Sequence, residues 1–171
     1  MILVTGASKG LGLAISERLI ESGKEVMGIA REVSDLVFPA VACDVSNYDE
    51  VKDIARKLRK EKTQVDAVVN AAGIASMNLA VTTPKTVTEK VIMTNLAGTI
   101  YCCQLFAPLM VKRKLGTIIN FSTIAVHLGL EGESVYVASK AGVEGFSKSF
   151  AKEMAPFNVR INCIAPGPID T

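Results

Sequence analysis

Short apolar runs alternate with longer amphipathic ones along the whole sequence, and this alternation restricts the fold more than any other feature. Residues 2–4, 26–30, 41–43, 65–69, 117–121 and 159–164 read as strands. They are nearly continuous in apolar character, the pattern of strands buried on both faces rather than one. Between them lie helical patterns. One follows Gly12, with Leu11, Ala14, Ile15, Leu19 and Ile20 on one side, and stops at Gly23. Others run from a cap at Ser46 to about residue 60, from 86 to 114 with a break at Gly98, and from 133 to 155. Strands and helices in this order give an α/β fold, a parallel sheet with right-handed crossovers and helices on both faces. The connection 32–39 is short and ends at Pro39, so no full crossover helix is expected there.

Small and polar residues gather where these strands end. Gly6-Ala7-Ser8-Lys9-Gly10-Leu11-Gly12 follows the first strand, Asp44 the third and Asn70-Ala71-Ala72-Gly73 the fourth. Thr123 follows the fifth and Pro166-Gly167 the sixth. In open α/β sheets the carboxyl edge of the strands is where ligands bind. The first turn joins a strand to a helix, a layout that aims backbone N–H groups at a phosphate. Its spacing is G-x-x-x-G-x-G; a strict G-x-G-x-x-G is absent because residue 15 is Ile. A tight structural turn is the alternative. The second strand ends at Ala30-Arg31, and Lys9 lies in the glycine turn. Two cations without a carboxylate at the strand tip favour NADP, whose 2′-phosphate they would meet. Glu32, one residue on, keeps NAD open.

A candidate reaction centre lies at Tyr136-Val137-Ala138-Ser139-Lys140. Residues four apart share a helix face, so a phenol and an ammonium would sit side by side. An adjacent ammonium favours the phenolate and lowers the tyrosine pKa from about 10. A phenol tuned in this way can exchange a proton with an alcohol near neutral pH. A surface helix that merely carries Tyr and Lys is the plain alternative. Ser122 and Thr123 point in opposite directions if the fifth strand persists, so one of them faces the site. A helix break beside Asn95 would free backbone groups for water. His127, the sole histidine, falls in the loop after the fifth strand.

Composition removes several other classes. The 171 residues are 49% hydrophobic and 21% charged, enough for one domain with a real core. A net charge of +2 is too weak to point to nucleic acid or an anionic membrane. The cysteines at 43, 102, 103 and 163 show neither a paired framework nor metal spacing, and with one histidine no zinc or other metal site is expected. Reduced thiols in the cytoplasm are the default. The start of the sequence has no basic, apolar leader, and no run of about 18 apolar residues stands out to span a bilayer.

Taken together, the glycine turn, Asn70-Ala71-Ala72-Gly73, Asn95, Tyr136-x-x-x-Lys140 and Ala165-Pro166-Gly167-Pro168-Ile169-Asp170-Thr171 resemble the short-chain dehydrogenase/reductase family, most of all its 3-oxoacyl-carrier-protein reductases. The resemblance implies a Rossmann-like doubly wound sheet of strand order 3-2-1-4-5-6. It implies an NADP-dependent oxidoreductase that interconverts a carbonyl and a secondary alcohol on a small molecule. Gly6, Ser8, Lys9, Gly10, Leu11 and Gly12 match the cofactor turn, and Arg31 and Asp44 the ribose and adenine contacts. Asn70, Ala71 and Gly73 match the segment supporting the adenosine ribose. Pro166, Gly167, Ile169 and Thr171 match the lining of the nicotinamide. Tyr136 is the implied acid/base, Lys140 the group that holds the ribose and lowers the tyrosine pKa, and Asn95 the anchor of a relay water. The family serine, thirteen residues before the tyrosine, is Thr123 here, whose methyl restricts its rotamers. A fold retained for nucleotide binding without turnover is a rival reading, as is a sugar or polyol substrate. Family members usually continue beyond the Pro-Gly motif with one more strand, so the sequence is expected to be one truncated dinucleotide-binding domain. The family also implies a homodimer or homotetramer, here with an apolar face of Cys102, Cys103, Leu105, Phe106 and Leu109.

Overall fold

A computed structural model describes residues 1–169. The strands are β1 (Ile2–Thr5), β2 (Val26–Ala30), β3 (Ala40–Ala42), β4 (Ala67–Asn70), β5 (Gly116–Phe121) and β6 (Val159–Ile164). The helices are α1 (Gly10–Glu21), α2 (Tyr48–Lys60), α3 (Lys85–Ile92), α4 (Gly98–Phe106), α5 (Pro108–Val111), α6 (Ala125–Leu128) and α7 (Ser134–Met154). The sheet is parallel throughout, in the order β3-β2-β1-β4-β5-β6. As expected, no helix forms between β2 and β3.

Alternation along each strand decides which residue meets which layer. Leu3, Val68 and Ile118 enter the larger core with Val51, Ile54, Phe106, Phe150 and Ile161, beneath α2, α4 and α7. Val4 and Val69 point the other way and pack with Ile15 and Leu19 of α1 and with Phe38. Helices cover both faces, as expected, but the two cores are unequal in size. On the second face α1 lies over the middle strands, while Arg160, Asn162 and Ile164 of β6 are exposed.

Three local expectations change. The cap of α2 is Asn47, whose Oδ1 accepts from the N–H groups of Asp49 and Glu50; Ser46 turns back to donate to Asp44 instead. Gly98 does not mark a simple break. A π-turn, Met93–Ala97, precedes it, and a Cβ at Gly98 would come within 2.9 Å of Val45 Cγ2, so glycine is required there by packing. Cys102, Cys103 and Phe106 do not form an outer apolar face. They are buried against the sheet, and Leu105 and Leu109 are partly buried beside them. The continuous helical run Lys85–Val111 reaches 27 residues with a best-window mean hydropathy of 1.2, long and apolar enough to cross a membrane, which sequence inspection passed over. Cys102, Cys103, Phe106, Ala107 and Met110 of this run are buried in the sheet core, which accounts for part of that composition.

A buried polar seam crosses the sheet at the level of its carboxyl edge. Asn70 Nδ2 donates to Asn120 Oδ1 at 2.8 Å, and Asn120 Nδ2 donates to Ser147 Oγ on α7 at 2.8 Å. Hydrogen bonds in so dry a setting are costly to leave unmade. They fix β4, β5 and α7 relative to one another, and the candidate site stands on those three elements.

Candidate active site

The glycine turn is shaped by two close approaches. Gly6 has φ +68°, and a Cβ there would lie 2.8 Å from Ala72 Cα. A Cβ on Gly12 would overlap the carbonyl of Gly6 itself. The start of α1 is therefore pressed onto the end of β1, and the 71–73 segment lies directly against the turn. Thr5 Oγ1 secures it by accepting from Ala72 N–H at 3.1 Å.

A groove of about 720 Å³ runs along this edge. Gly6, Ser8, Lys9, Gly10, Leu11, Gly12, Arg31, Asp44, Ala71 and Gly73, all expected from the sequence, line it. Val45, Ala72, Ile74 and Thr94 line it too, and only packing brings them there. Asn70 is not in the wall; it is buried in the polar seam. Lys9 and Arg31 also border a second cavity of about 400 Å³ under the 32–38 loop, together with Glu32. No carboxylate of the described residues lies within ion-pair distance of either cation. The N-terminus of α1 receives no side-chain cap. Free helix-end N–H groups beside unpaired cations are a fitting seat for a phosphorylated dinucleotide. Burial by itself would raise the Asp44 carboxyl. Hydrogen bonds from Ser46, with Arg31 and Lys90 nearby, outweigh it and hold the group below the usual range.

The reacting groups cluster at the Gly73 end. A Cβ on Gly73 would lie 3.4 Å from Asn95 Oδ1 and 3.5 Å from Lys140 Nζ. Both N–H groups of the Asn95 amide and its oxygen are engaged. The amide accepts from Ile74 N–H at 2.8 Å and donates to Ile74 O at 2.9 Å and to Ser139 Oγ at 3.0 Å. Ser139 passes the link on by donating to Tyr136 O at 2.6 Å. Gly142 lets α7 approach Leu96 of the π-turn. Thr123 lies close enough to the Tyr136 phenol to favour its ionised form, while Ser122 faces away, toward Glu144. The alternation of side chains along β5 thus selects threonine, as the strand period requires. Ser139 and Glu144 were not foreseen, because neither belongs to a spacing that signals chemistry. Pro166 O accepts from Ile124 N–H at 2.9 Å, which ties the segment after β6 to this corner; Gly167 and Ile169 are exposed beside it. Thr171 lies outside the described residues.

One electrostatic expectation is overturned. The Tyr136 pKa is raised, not lowered: burial is the largest cause, Glu133 adds to it, and Thr123 opposes it. Lys140 is not among the groups that shift it; its ammonium donates one N–H to Phe121 O at 2.8 Å. Burial pushes Lys140 down to about 8. Its unfolded value is about 10.4. Between these values the unfolded chain binds more protons, so stability must rise with pH across that window. Lys140→Met should remove the rise. In thermal unfolding, the melting advantage of the variant over wild type should shrink as pH climbs from 7 to about 10.

Fold and site together define a dinucleotide-binding oxidoreductase. Over residues 1–171 the sequence matches the profile of the family described as short chain dehydrogenase. It is 36% identical to the 3-oxoacyl-[acyl-carrier-protein] reductase FabG of Chlamydia pneumoniae, over 99% of this chain and 73% of that protein. It is 37% identical to carbonyl reductase family member 4 of Xenopus tropicalis, over 98% of this chain and 75% of that protein. Among solved structures, a metagenomic short-chain oxidoreductase in complex with NADP superposes with a TM-score of 0.91 at 31% identity, covering 99% of this chain and 81% of that one. The chain belongs to the short-chain dehydrogenase/reductase family. Enzymes of this family use a nicotinamide dinucleotide to interconvert carbonyl and alcohol groups on small molecules.

Proposed function

We propose that residues 1–171 act as one dinucleotide-binding domain of an NADP-dependent oxidoreductase, with Tyr136 as the acid/base at the substrate oxygen. The observation that carries this reading is that Lys140 Nζ and Asn95 Oδ1 stand against Gly73, which lines the same groove as Lys9, Arg31 and the glycine turn. The N-terminus of α1 binds the pyrophosphate, and Lys9 and Arg31 hold the 2′-phosphate. When bound, the cofactor supplies the hydride. Thr123 and Tyr136 hold the carbonyl oxygen, and Tyr136 delivers its phenolic proton to that oxygen. Lys140 keeps a positive charge beside the developing phenolate. Asn95 O already accepts from Thr99 Oγ1, and its second lone pair is left to a relay water. Threonine at 123, where the family places serine, favours a second reading, binding without turnover.

For the substrate we favour a 3-oxoacyl thioester or a similar apolar ketone over a sugar or polyol. Residues 74–84 near the site carry no charge, and they expose Met77, Leu79 and Val81, the last at 93%. Such a rim offers a polyol few hydrogen bonds. We place the protein in the cytoplasm, where its four free cysteines would stay reduced. We also propose a homodimer or homotetramer, to be read by light scattering.

The assay mixes the full chain with NADPH and a panel of β-keto esters, acyl thioesters, ketones and sugars, following nicotinamide absorbance. Oxidation of NADPH with a β-keto compound supports the reading; tight NADPH binding with no reduction across the panel supports binding without turnover. Replacing both Lys9 and Arg31 with Ala should weaken NADPH by about 2–4 kcal/mol while moving NADH by less than about 1 kcal/mol, since charge-assisted bonds to a phosphate are the strong ones. Equal losses for the two cofactors would overturn the NADP assignment.

A further inference from the structure

We infer that Glu144 is a positioning residue that holds the end of β5 in register with α7 through Ser122, and that His127 makes this hold sensitive to pH. The inference rests on the proposed roles of Thr123, Tyr136 and Lys140. Ser122 is buried, adjoins Thr123 and faces the opposite way. Its Oγ donates to Glu144 Oε1 at 2.6 Å and approaches Lys140 O at 3.4 Å. A hydroxyl–carboxylate bond of that length is charge-assisted and strong. Glu144 lies one turn beyond Lys140 and two beyond Tyr136 on α7. The strand carrying Thr123 is thus pinned to the helix carrying Tyr136 within a few residues of both.

The Glu144 side chain is 15% exposed, and a carboxylate so far withdrawn from water needs partners. Beyond Ser122 it has His127, whose Nε2 lies 3.7 Å from the same Oε1. His127 sits on α6, and the first N–H of that helix, at Ala125, donates to Thr123 Oγ1 at 3.2 Å. The short helix is therefore tied to the reaction centre at one end and to Glu144 at the other. One further titratable group faces this carboxylate, Cys163 of β6, its thiol pushed up by burial and so neutral. The Lys140 ammonium is turned to Phe121 O. When His127 is protonated, the exposed imidazolium draws Oε1 outward, away from Ser122, and the grip on β5 loosens.

The test measures kcat and KM from about pH 5 to 8 with NADPH and an accepted β-keto ester, for wild type, Glu144→Ala, Glu144→Gln and His127→Gln. Glu144→Ala should lower kcat about tenfold and leave the KM for NADPH within about twofold, as expected when reacting groups are misplaced rather than removed. Glu144→Gln keeps an oxygen for Ser122 and should recover most of kcat while losing the acid-side fall. His127→Gln should lose only that fall. Hydrogen exchange of residues 121–128 requires no turnover: at each pH, Glu144→Ala should exchange faster than wild type, and His127→Gln should match wild type at the alkaline end. If Glu144→Ala does not fold, Ser122→Ala serves in both measurements. A kcat for Glu144→Ala within about twofold of wild type, equal losses in Ala and Gln, or unchanged exchange would overturn the inference. A wild type that turns over nothing strikes the proposed function instead and leaves the exchange result to decide this one.

Discussion

Tyr136→Phe is expected to reduce turnover by about 10²–10⁴-fold, the range contributed by a positioned general acid, while NADPH affinity stays within about twofold. The phenol is half-withdrawn from solvent and lies close to Thr123, so removing one oxygen removes the proton donor and leaves the ring in place. The nucleotide groove is lined by other residues and should not notice. Because burial raises the Tyr136 pKa, the proton is firmly held before the cofactor arrives. The reductive direction, in which tyrosine gives up its proton, should therefore hold its rate to higher pH than a lowered pKa would allow. Steady-state rates of wild type and Tyr136→Phe across the alkaline range check this. A Phe variant within tenfold of wild type would remove tyrosine from the chemistry.

Gly12→Ala carries the second large effect, and it acts on both stability and cofactor. Gly12 is buried, and a methyl there would occupy the space of the Gly6 carbonyl. Neither side can yield cheaply. Gly6 is itself confined, since a Cβ there would lie 2.8 Å from Ala72 Cα, and it is held at a positive φ. Overpacking of this kind costs about 1–3 kcal/mol, and a backbone obstacle places it at the upper end. At that size a chain of this length should lose about 6–12 °C in melting temperature. The start of α1 would move off β1, so NADPH binding should fall with it. Gly23, which also has a positive φ but nothing near its missing Cβ, supplies the contrast. Gly23→Ala should cost about 1 kcal/mol of stability from φ strain, with binding unchanged. Differential scanning calorimetry and NADPH titration distinguish the two.

Most of the architecture was legible because each strand is short, apolar and closed by small residues. Parallel pairing followed, and so did the absence of a helix between β2 and β3, since residues 32–39 cannot supply one; the strand order came from the family resemblance. Strand limits were less legible. Val65 is fully buried yet lies outside β4, because its carbonyl accepts from the Arg113 guanidinium instead of a neighbouring strand. Gly98 was recognised as a signal but for the wrong cause: the constraint is Val45, 53 residues away in sequence. The glycine turn and its two cations could be read from spacing alone. The state of Tyr136 could not. Helical spacing places Lys140 on its face, but whether the ammonium reaches the phenol depends on Phe121 O, which competes for it. Glu144 was invisible for a similar reason: its partners, Ser122 and His127, come from two other elements.

The central claim is that Thr123, Tyr136 and Lys140 receive the nicotinamide end of a dinucleotide whose phosphates lie on the Gly6–Gly12 turn. A crystal structure of the chain with NADPH tests it most directly. The account predicts the pyrophosphate at the N-terminus of α1, the 2′-phosphate between Lys9 and Arg31, and Lys140 Nζ turned from Phe121 O to the nicotinamide ribose beside the Tyr136 hydroxyl. A nicotinamide ring bound away from Tyr136, with Lys140 still on Phe121, would contradict it.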